Sequence, residues 1–389
     1  MRILQIHNLY REPGGEDMVV ASEAALLRSA GHEVVQYRVE NPSGRLKTAG
    51  SLALAAWNPA AGRRVRKLTE ACRPDVAHVH NTWFSLSPSI LMALQQAGIP
   101  VVMTLHNYRL LCANAILFRD GEPCELCVGS PPWNGVRYRC YRGSTVASLA
   151  AAVALAVNRP SGTWQRHVDL FLGLTEFARE LFIRGGLPED RVMVKPNSVA
   201  DPGPRANPPS ASRSVLYVGR LSEDKGVLQL LDAWQRASVE GLELVVVGDG
   251  PLRQQIEGRA TSGVRVVGRL ASPQVAELML AARALAFPSL WYEGQPMVVL
   301  EALAAGLPVL ASNHGGTEAT LRGMGPEWLV EAGDRAAWQL GLARLSDRSA
   351  LDEASRRART MYEEAFTPER SLAGLETAYR RAVARPAGR

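Results

Sequence analysis

Two acids frame the segment YEGQPMVVLEALAAG, residues 292–306. Glu293 stands in a loop ahead of Gly294-Gln295-Pro296, and Glu301 lies inside the apolar stretch that follows. Pro296 suits the first turn of a helix, where its missing N–H costs nothing. A helix starting there leaves the amides of Met297 and Val298 without intrahelical partners, which makes an anion site. The helix dipole contributes typically ~0.3–1 kcal/mol to such a site, and charge-assisted hydrogen bonds on the order of 1.5–3 kcal/mol each. Glu293 is placed to reach hydroxyls beyond that anion. Glu301 shares a helix face with Met297 and Val298, and its other neighbours, Val299, Leu300, Ala302, Leu303, Ala304 and Ala305, are apolar. A buried acid without a partner is costly, whereas carboxylates accept well from vicinal hydroxyls, as the ribose-binding acid of dinucleotide folds does. The bland alternative is an exposed helical glutamate. The apolar surroundings favour a ligand, and diol, anion and hydroxyls together describe a sugar nucleotide.

Other residues could serve the same ligand. Gly219-Arg220 closes the strand-like run SVLYVGR, and Lys225 follows in LSEDKG, so two cations can reach a diphosphate. A basic surface loop would look the same. Gly248-Asp249-Gly250-Pro251 is a weaker signal, since a tight turn explains it. Near the N-terminus, Gly14-Gly15-Glu16-Asp17 precedes a helical pattern, where glycines let backbone approach a ligand and acids suit the dipole. His106 closes the run PVVMTLH, while His7, His78 and His80 end or interrupt earlier runs. A lone histidine is more often a satisfied core residue than a catalyst.

These groups need strands to hold them. In the first half, RILQIH, HEVVQYRV, DVAHVHN, PVVMTLHN and DLFLGLT read as buried parallel strands alternating with helical patterns. The pattern restarts with SVLYVGR, LELVVVGDG, VRVVG, ALAFPS and LPVLAS. Between the halves, DPGPRANPPSASR (201–213) has linker composition. A chain of 389 residues suits two domains of roughly 150 to 200 residues. The expectation is α/β: two doubly wound Rossmann-like domains facing a cleft, with ligands at the carboxyl ends of the strands. The boundaries are 1–205 and 206–368, and a C-terminal helix over 369–389 carries the pattern SLAGLETAYRRAVAR.

Charge and composition narrow the classes. The whole excess of +6 falls in the first half, densest at Arg45, Lys47, Arg63, Arg64, Arg66, Lys67 and Arg73. That patch suits anionic lipid or a phosphorylated partner, or is simply a solvated basic face. Nucleic acid is disfavoured because no aromatic-interleaved basic strand accompanies it. A nicotinamide dehydrogenase is disfavoured because no strand leads into a full Gly-x-Gly-x-x-Gly. The longest apolar run, VASLAAAVALAV (146–157), falls short of the ~20 residues that span a bilayer. MRILQIHN reads as a strand and not a signal peptide. The expected location is cytoplasmic, with peripheral contact at the inner face of the membrane as an extension.

Taken together, the motifs resemble those of retaining nucleotide-sugar glycosyltransferases of family 4, with the two-domain GT-B architecture. Glu293 and Glu301 match the family's Glu, seven residues, Glu signature. Gly219-Arg220 with Lys225, GDGP, Val267-Gly268-Arg269, Pro288-Ser289 and EALAAGLPV (301–309) follow in family order across nearly the whole chain. The resemblance implies Arg220 and Lys225 on the donor diphosphate, Glu293 on the transferred sugar, Glu301 on the ribose diol and the backbone at Arg269 and Leu270 on the base. It places Gly14, Gly15 and Glu16 over the phosphate and sugar, and His106 against the transferred sugar. Gly294, Gln295, Pro296, Met297 and Val298 complete the donor set. Where many members have Phe-Gly, this chain has Gln295-Pro296, which leaves the donor sugar open. Catalysis is expected without a metal: there is no Asp-x-Asp, and fixed cations replace the ion. Front-face attack by a saccharide or lipid-linked acceptor, with domain closure, is the implied route. The C-terminal helix is implied to cross back to the first domain.

Cys112, Cys124, Cys127 and Cys140 form C-x11-C-x2-C-x12-C in one loop region. This points to a structural zinc stapling the loop; buried thiols, two disulfides or an iron–sulfur cluster are the alternatives. The family core does not require them. RYRCYRGS (137–144) and the Ala-rich helix after it are candidates for contact with an amphipathic acceptor, or are plain packing. Competing functions are a sugar-nucleotide epimerase or phosphorylase of the same fold, and a non-catalytic zinc-stapled binding protein.

Overall fold

The computed structural model describes residues 1–10, 14–42, 44–237 and 239–385, apart from the side chains of residues 45–47 and 49. The Arg11-Glu12-Pro13 part of the first loop and the Arg45 and Lys47 side chains of the basic stretch therefore lie outside the described residues.

The chain forms two compact units, residues 1–117, 124–196 and 371–389 in one, 118–123 and 197–370 in the other. The first contains the strands β1 (Arg2–Leu9), β2 (Glu33–Glu40), β3 (Val76–Asn81), β4 (Val101–Leu105), β5 (Leu170–Gly173) and β6 (Val192–Val194). They make one parallel sheet in the order β2-β1-β3-β4-β5-β6. Every residue of β3 and β4 is buried, as expected of parallel strands covered by helices on both faces. The order reverses between β1 and β3.

The second unit holds β7 (Ser214–Val218), β8 (Glu243–Val247), β9 (Val264–Gly268), β10 (Ala284–Phe287), β11 (Val309–Ser312) and β12 (Leu329–Val330). This sheet is also parallel, ordered β9-β8-β7-β10-β11-β12, the Rossmann order with its reversal between β7 and β10. Loops leaving β7 and β10 on their carboxyl side diverge there and leave room for a ligand.

The helix Pro368–Val383 packs, from Ser371 onward, in the first unit. Leu375, Ala378, Tyr379 and Ala382 join Ile3, Val76, Val102 and Leu170 in one buried core. The Pro-rich segment 201–213 lies within the second unit. Its charged residues fasten it there: Arg205 donates to the carbonyl of Met279 at 2.8 Å, and Asp201 pairs with Arg359 at 2.5 Å. Among the described residues no helix is long and apolar enough to cross a membrane.

Candidate functional site

The loops after β7, β10 and β11 converge in the second unit. Lys225 ends a short 3-10 turn in the β7 loop, and its Nζ sits 2.6 Å from Glu293 Oε1. Ser289 Oγ donates to the same oxygen at 2.9 Å. Glu293 is buried, while the Lys225 side chain keeps 22% of its surface and lies 4.9 Å from the Trp291 ring. Close approach of these loops needs glycine at Gly226, whose φ is +68° and where a Cβ would stand 1.9 Å from the Pro288 carbonyl oxygen. Leu290 N–H donates to the Asp224 carbonyl at 2.8 Å and locks the two loops.

The β11 loop supplies the third wall. His314 Nε2 donates to the Ser289 carbonyl at 2.9 Å, and burial lowers its pKa. Gly316 N–H donates to the Glu293 carbonyl at 3.0 Å, and a Cβ on Gly316 would meet the Gly294 oxygen at 2.2 Å. Gln295 Oε1 accepts from the Asn197 amide at 2.7 Å, so the residue that departs from the family pattern is built into the loop's support. Ser289, His314 and Gly316 were not singled out as site residues in the sequence; Asn313-His314-Gly315-Gly316 at a strand's end is the signal that could have found the last two.

The helix runs over Met297–Ala304 with Pro296 as its N-cap, one residue outside the first turn. Its first bond from beyond the start is Val299 N–H to the Pro296 carbonyl at 3.1 Å, so the amides of Met297 and Val298 precede the ladder. Glu301 is half-buried, and among the described residues its carboxylate makes no hydrogen bond or ion pair. Burial alone raises its carboxyl pKa. Arg220 is exposed beside this cluster in sequence, its carbonyl accepting from Tyr217 Oη at 2.9 Å. Arg269, exposed, and Leu270, half-buried, directly follow β9.

In the first unit, the helix Gly15–Ser29 is capped at Gly14, whose N–H donates to Asp17 Oδ2 at 2.8 Å. Glu16 turns inward: Tyr10 Oη and Asn107 Nδ2 donate to its Oε2 at 2.8 and 3.2 Å. Burial, reinforced by the Asp17 charge, pushes the Glu16 carboxyl up to about 8 despite these two bonds. Its other oxygen lies 3.8 Å from His7 Nδ1, and both atoms are buried without a partner among the described residues. His7 Nε2 pairs with Asp17 Oδ1 at 2.8 Å.

Next to them lies a buried imidazole row. His106 Nε2 is 2.9 Å from His80 Nδ1, and the rings stack. His78 is bonded on both nitrogens, to Tyr379 Oη at 2.8 Å and Thr104 Oγ1 at 2.7 Å. Burial drives the His78 pKa down to about 4 against the pull of the Glu23 charge, and burial lowers those of His80 and His106, reinforced by the neighbouring imidazoles and Lys195. Glu23 Oε1 holds the buried Lys195 ammonium.

Among the described residues the four cysteines expected to hold a metal do not form a group whose sulfurs all lie within 4.8 Å of one another. All five cysteines are free thiols, and Cys112 Sγ is spent on Asn114 Oδ1 at 2.9 Å. Cys112 and Cys124 do neighbour Cys127, whose pKa burial and they raise. Yet among the described residues the one group of three metal-ligating side chains within 4.8 Å of one another is Glu23, His78 and His80. A tetrahedral thiolate site needs sulfurs 2.3 Å from a shared centre, and the loop does not present them. Most ligand atoms of that group already have partners, Glu23 Oε1 on Lys195, His78 on Tyr379 and Thr104, and His80 on Gln5 and His106, while Glu23 Oε2 is buried without a hydrogen-bond partner among the described residues.

Two parallel Rossmann-like units, with a carboxylate, an ammonium and a helix start at the second sheet's reversal, define the GT-B class of transferases. Residues 14–198 match the Glycosyl transferase 4-like domain, and residues 212–348 match Glycosyl transferases group 1. The chain belongs to glycosyltransferase family 4, retaining enzymes that take nucleotide-sugar donors and need no metal for the transfer. It is 28% identical to the phosphatidyl-myo-inositol mannosyltransferase of Mycobacterium leprae, over 88% of this chain and 86% of that one. It is 30% identical to the amylovoran biosynthesis glycosyltransferase AmsK of Erwinia amylovora, over 35% of this chain and 36% of that one. The crystal structure of Anabaena Alr3699/HepE in complex with UDP and glucose shares the fold, with TM-score 0.67 at 18% identity, covering 97% of this chain and 99% of that one.

Proposed function

We propose that this chain moves a hexosyl group, with retention, from a nucleoside diphosphate sugar to a saccharide or lipid-linked acceptor in the assembly of a cell-surface polysaccharide or glycoconjugate. The observation that carries the reading is the cluster of Lys225, Glu293 and the Met297–Ala304 helix start at the β7/β10 reversal. The Lys225 ammonium has three donors and Glu293 takes one, which leaves the others for a diphosphate. With Arg220 and the amides of Met297 and Val298 they would stabilise charge building on the leaving group. Glu293 would take hydroxyls of the transferred sugar, Glu301 the ribose diol, and the backbone at Arg269 and Leu270 the base. His106, with Gly14, Gly15 and Glu16, would meet the phosphate and sugar, a role that rests on the family resemblance. The acceptor hydroxyl then attacks from the face the diphosphate leaves.

A lipid-linked acceptor is favoured by a groove of about 670 Å³ in the first unit, walled by Leu52, Ala53, Val146, Leu149 and Val153. Val146 is 77% exposed, and Leu149 and Val157 on the same helix are also exposed. Arg63, Arg64, Arg66 and Lys67 line the outside of the helix Pro59–Cys72, a surface suited to anionic lipid. The M. leprae relative, by name, acts on a phosphatidylinositol.

The test is nucleoside diphosphate release from UDP-, GDP- and ADP-sugars with and without lipid-extract acceptors. Acceptor-dependent release supports transfer; turnover of the sugar nucleotide without acceptor would mean an epimerase, and dependence on inorganic phosphate a phosphorylase. A non-catalytic binding protein would turn over none of them, and would keep its partner after Glu293→Ala.

A further inference from the structure

We infer that Gln5 and His80 are positioning residues that fix His106 as the tautomer protonated on Nδ1, so that it meets substrate as a hydrogen-bond donor and not as a base. The inference rests on His106 facing the substrate, as proposed above, and concerns what that imidazole offers.

The argument starts at the amide of Gln5, which is buried in β1. Its Nε2 lies 3.1 Å from the Val20 carbonyl, which can only accept, so the amide orientation is set. Gln36 Nε2 donates to Gln5 Oε1 at 2.5 Å, consistent with that orientation. The second N–H of Gln5 Nε2 then points at His80 Nε2, 3.3 Å away. Two donors cannot face each other, so His80 Nε2 carries a lone pair and its proton sits on Nδ1. Glu23 Oε2 lies 3.8 Å from the same nitrogen, beyond hydrogen-bond reach, and cannot draw a proton to it. His80 Nδ1–H therefore donates to His106 Nε2 at 2.9 Å. His106 Nε2 is an acceptor, and a neutral His106 must be protonated on Nδ1. Among the described residues Nδ1 of His106 has no protein partner, which leaves that N–H for a ligand.

Reversing the chain would need His80 protonated on Nε2, against an amide donor. Protonating His80 or His106 doubly is opposed by burial, by the neighbouring His7 and His78, and by Lys195. The relay thus transmits one choice, made by a backbone carbonyl at Val20, through three side chains to the face of His106.

The experiment is a long-range proton–nitrogen spectrum of the full chain labelled on histidine, without substrate, with His106 assigned from the His106→Asn variant. The expected result is a protonated Nδ1 and a bare Nε2 on His106. A protonated Nε2 on His106 would overturn the inference. In Gln5→Met the donor to His80 is gone, so a share of His106 should shift its proton to Nε2 and kcat should fall on the order of tenfold with KM little changed. An unchanged tautomer in Gln5→Met would also overturn it. Asn places its amide N–H where the histidine Nδ1–H was and Gln does not, so His106→Asn should retain several-fold more kcat than His106→Gln. The reverse ranking would count against the donor role. The tautomer is read without turnover, so failure of the transferase reading leaves this measurement to stand by itself.

Discussion

Each unit buries one carboxylate against one lysine, and the two pairs differ in what surrounds them. Glu23 and Lys195 are both almost fully enclosed, with 4% and 2% of their side chains exposed, under the C-terminal helix. Glu293 is as enclosed at 6%, but Lys225 retains 22% and sits on a loop among other loops. The first pair holds a helix Gly15–Ser29 to a strand end and sits behind the imidazole row; its ammonium has nowhere to turn. The second has spare donors on the open side of strands that diverge. Identical chemistry is scaffold in one place and, on the function proposed above, binding equipment in the other, and what differs between the two pairs is the exposure of the ammonium.

The comparison can be broken by removing each acid in turn. Glu23→Ala leaves an ammonium buried without its counter-charge and should cost about 3–5 kcal/mol of stability, read by urea unfolding with an unchanged slope. A midpoint equal to the parent's would mean the enclosed pair holds nothing. Glu293→Ala should do the opposite: Lys225 can turn to water, so the melting temperature moves little, while kcat drops on the order of 10²–10³-fold. A variant that melts early but turns over normally would reverse the assignment of the two pairs.

Glu301→Gln tests the unpartnered acid inside the apolar helix. Loss of a charged acceptor to a diol should raise the donor KM by about tenfold and spare kcat. Because burial holds the Glu301 carboxyl above its ordinary range, donor KM in the parent should also rise on acidification earlier than for an exposed glutamate.

The smallest effect concerns Glu16. Its folded carboxyl, at about 8, binds a proton more tightly than the ordinary value of 4.5, so the folded state holds that proton across the interval where the unfolded chain has lost it. Its contribution to stability is fully present below pH 4.5 and is lost as pH rises towards 8. Glu16→Gln should flatten the stability profile across that window. A profile with the parent's slope would show that Glu16 is ionised in the folded protein.

Much of this was legible in the chain because it is local. The acids at 293 and 301, the helix start between them and His106 at a strand's end are all patterns within a dozen residues, set by periodicity and turn chemistry. Ser289 and His314 were harder, since their roles are a hydroxyl aimed at Glu293 and a ring nitrogen on a carbonyl 25 residues away. The cysteines show the limit from the other side. Their spacing suits a metal, but the positions of four sulfurs depend on how the loop folds, and Cys112 turns to Asn114.

The sequence by itself determined two parallel sheets, their restart at the middle of the chain and the family, because buried runs of apolar residues and short glycine turns leave few alternatives. The tertiary structure decided which groups share a bond: Lys195 reaches Glu23 across 172 positions, and Lys225 reaches Glu293 across 68. Pairings at such separations are chosen by strand order and by where the strands end, which no local pattern of residue types encodes.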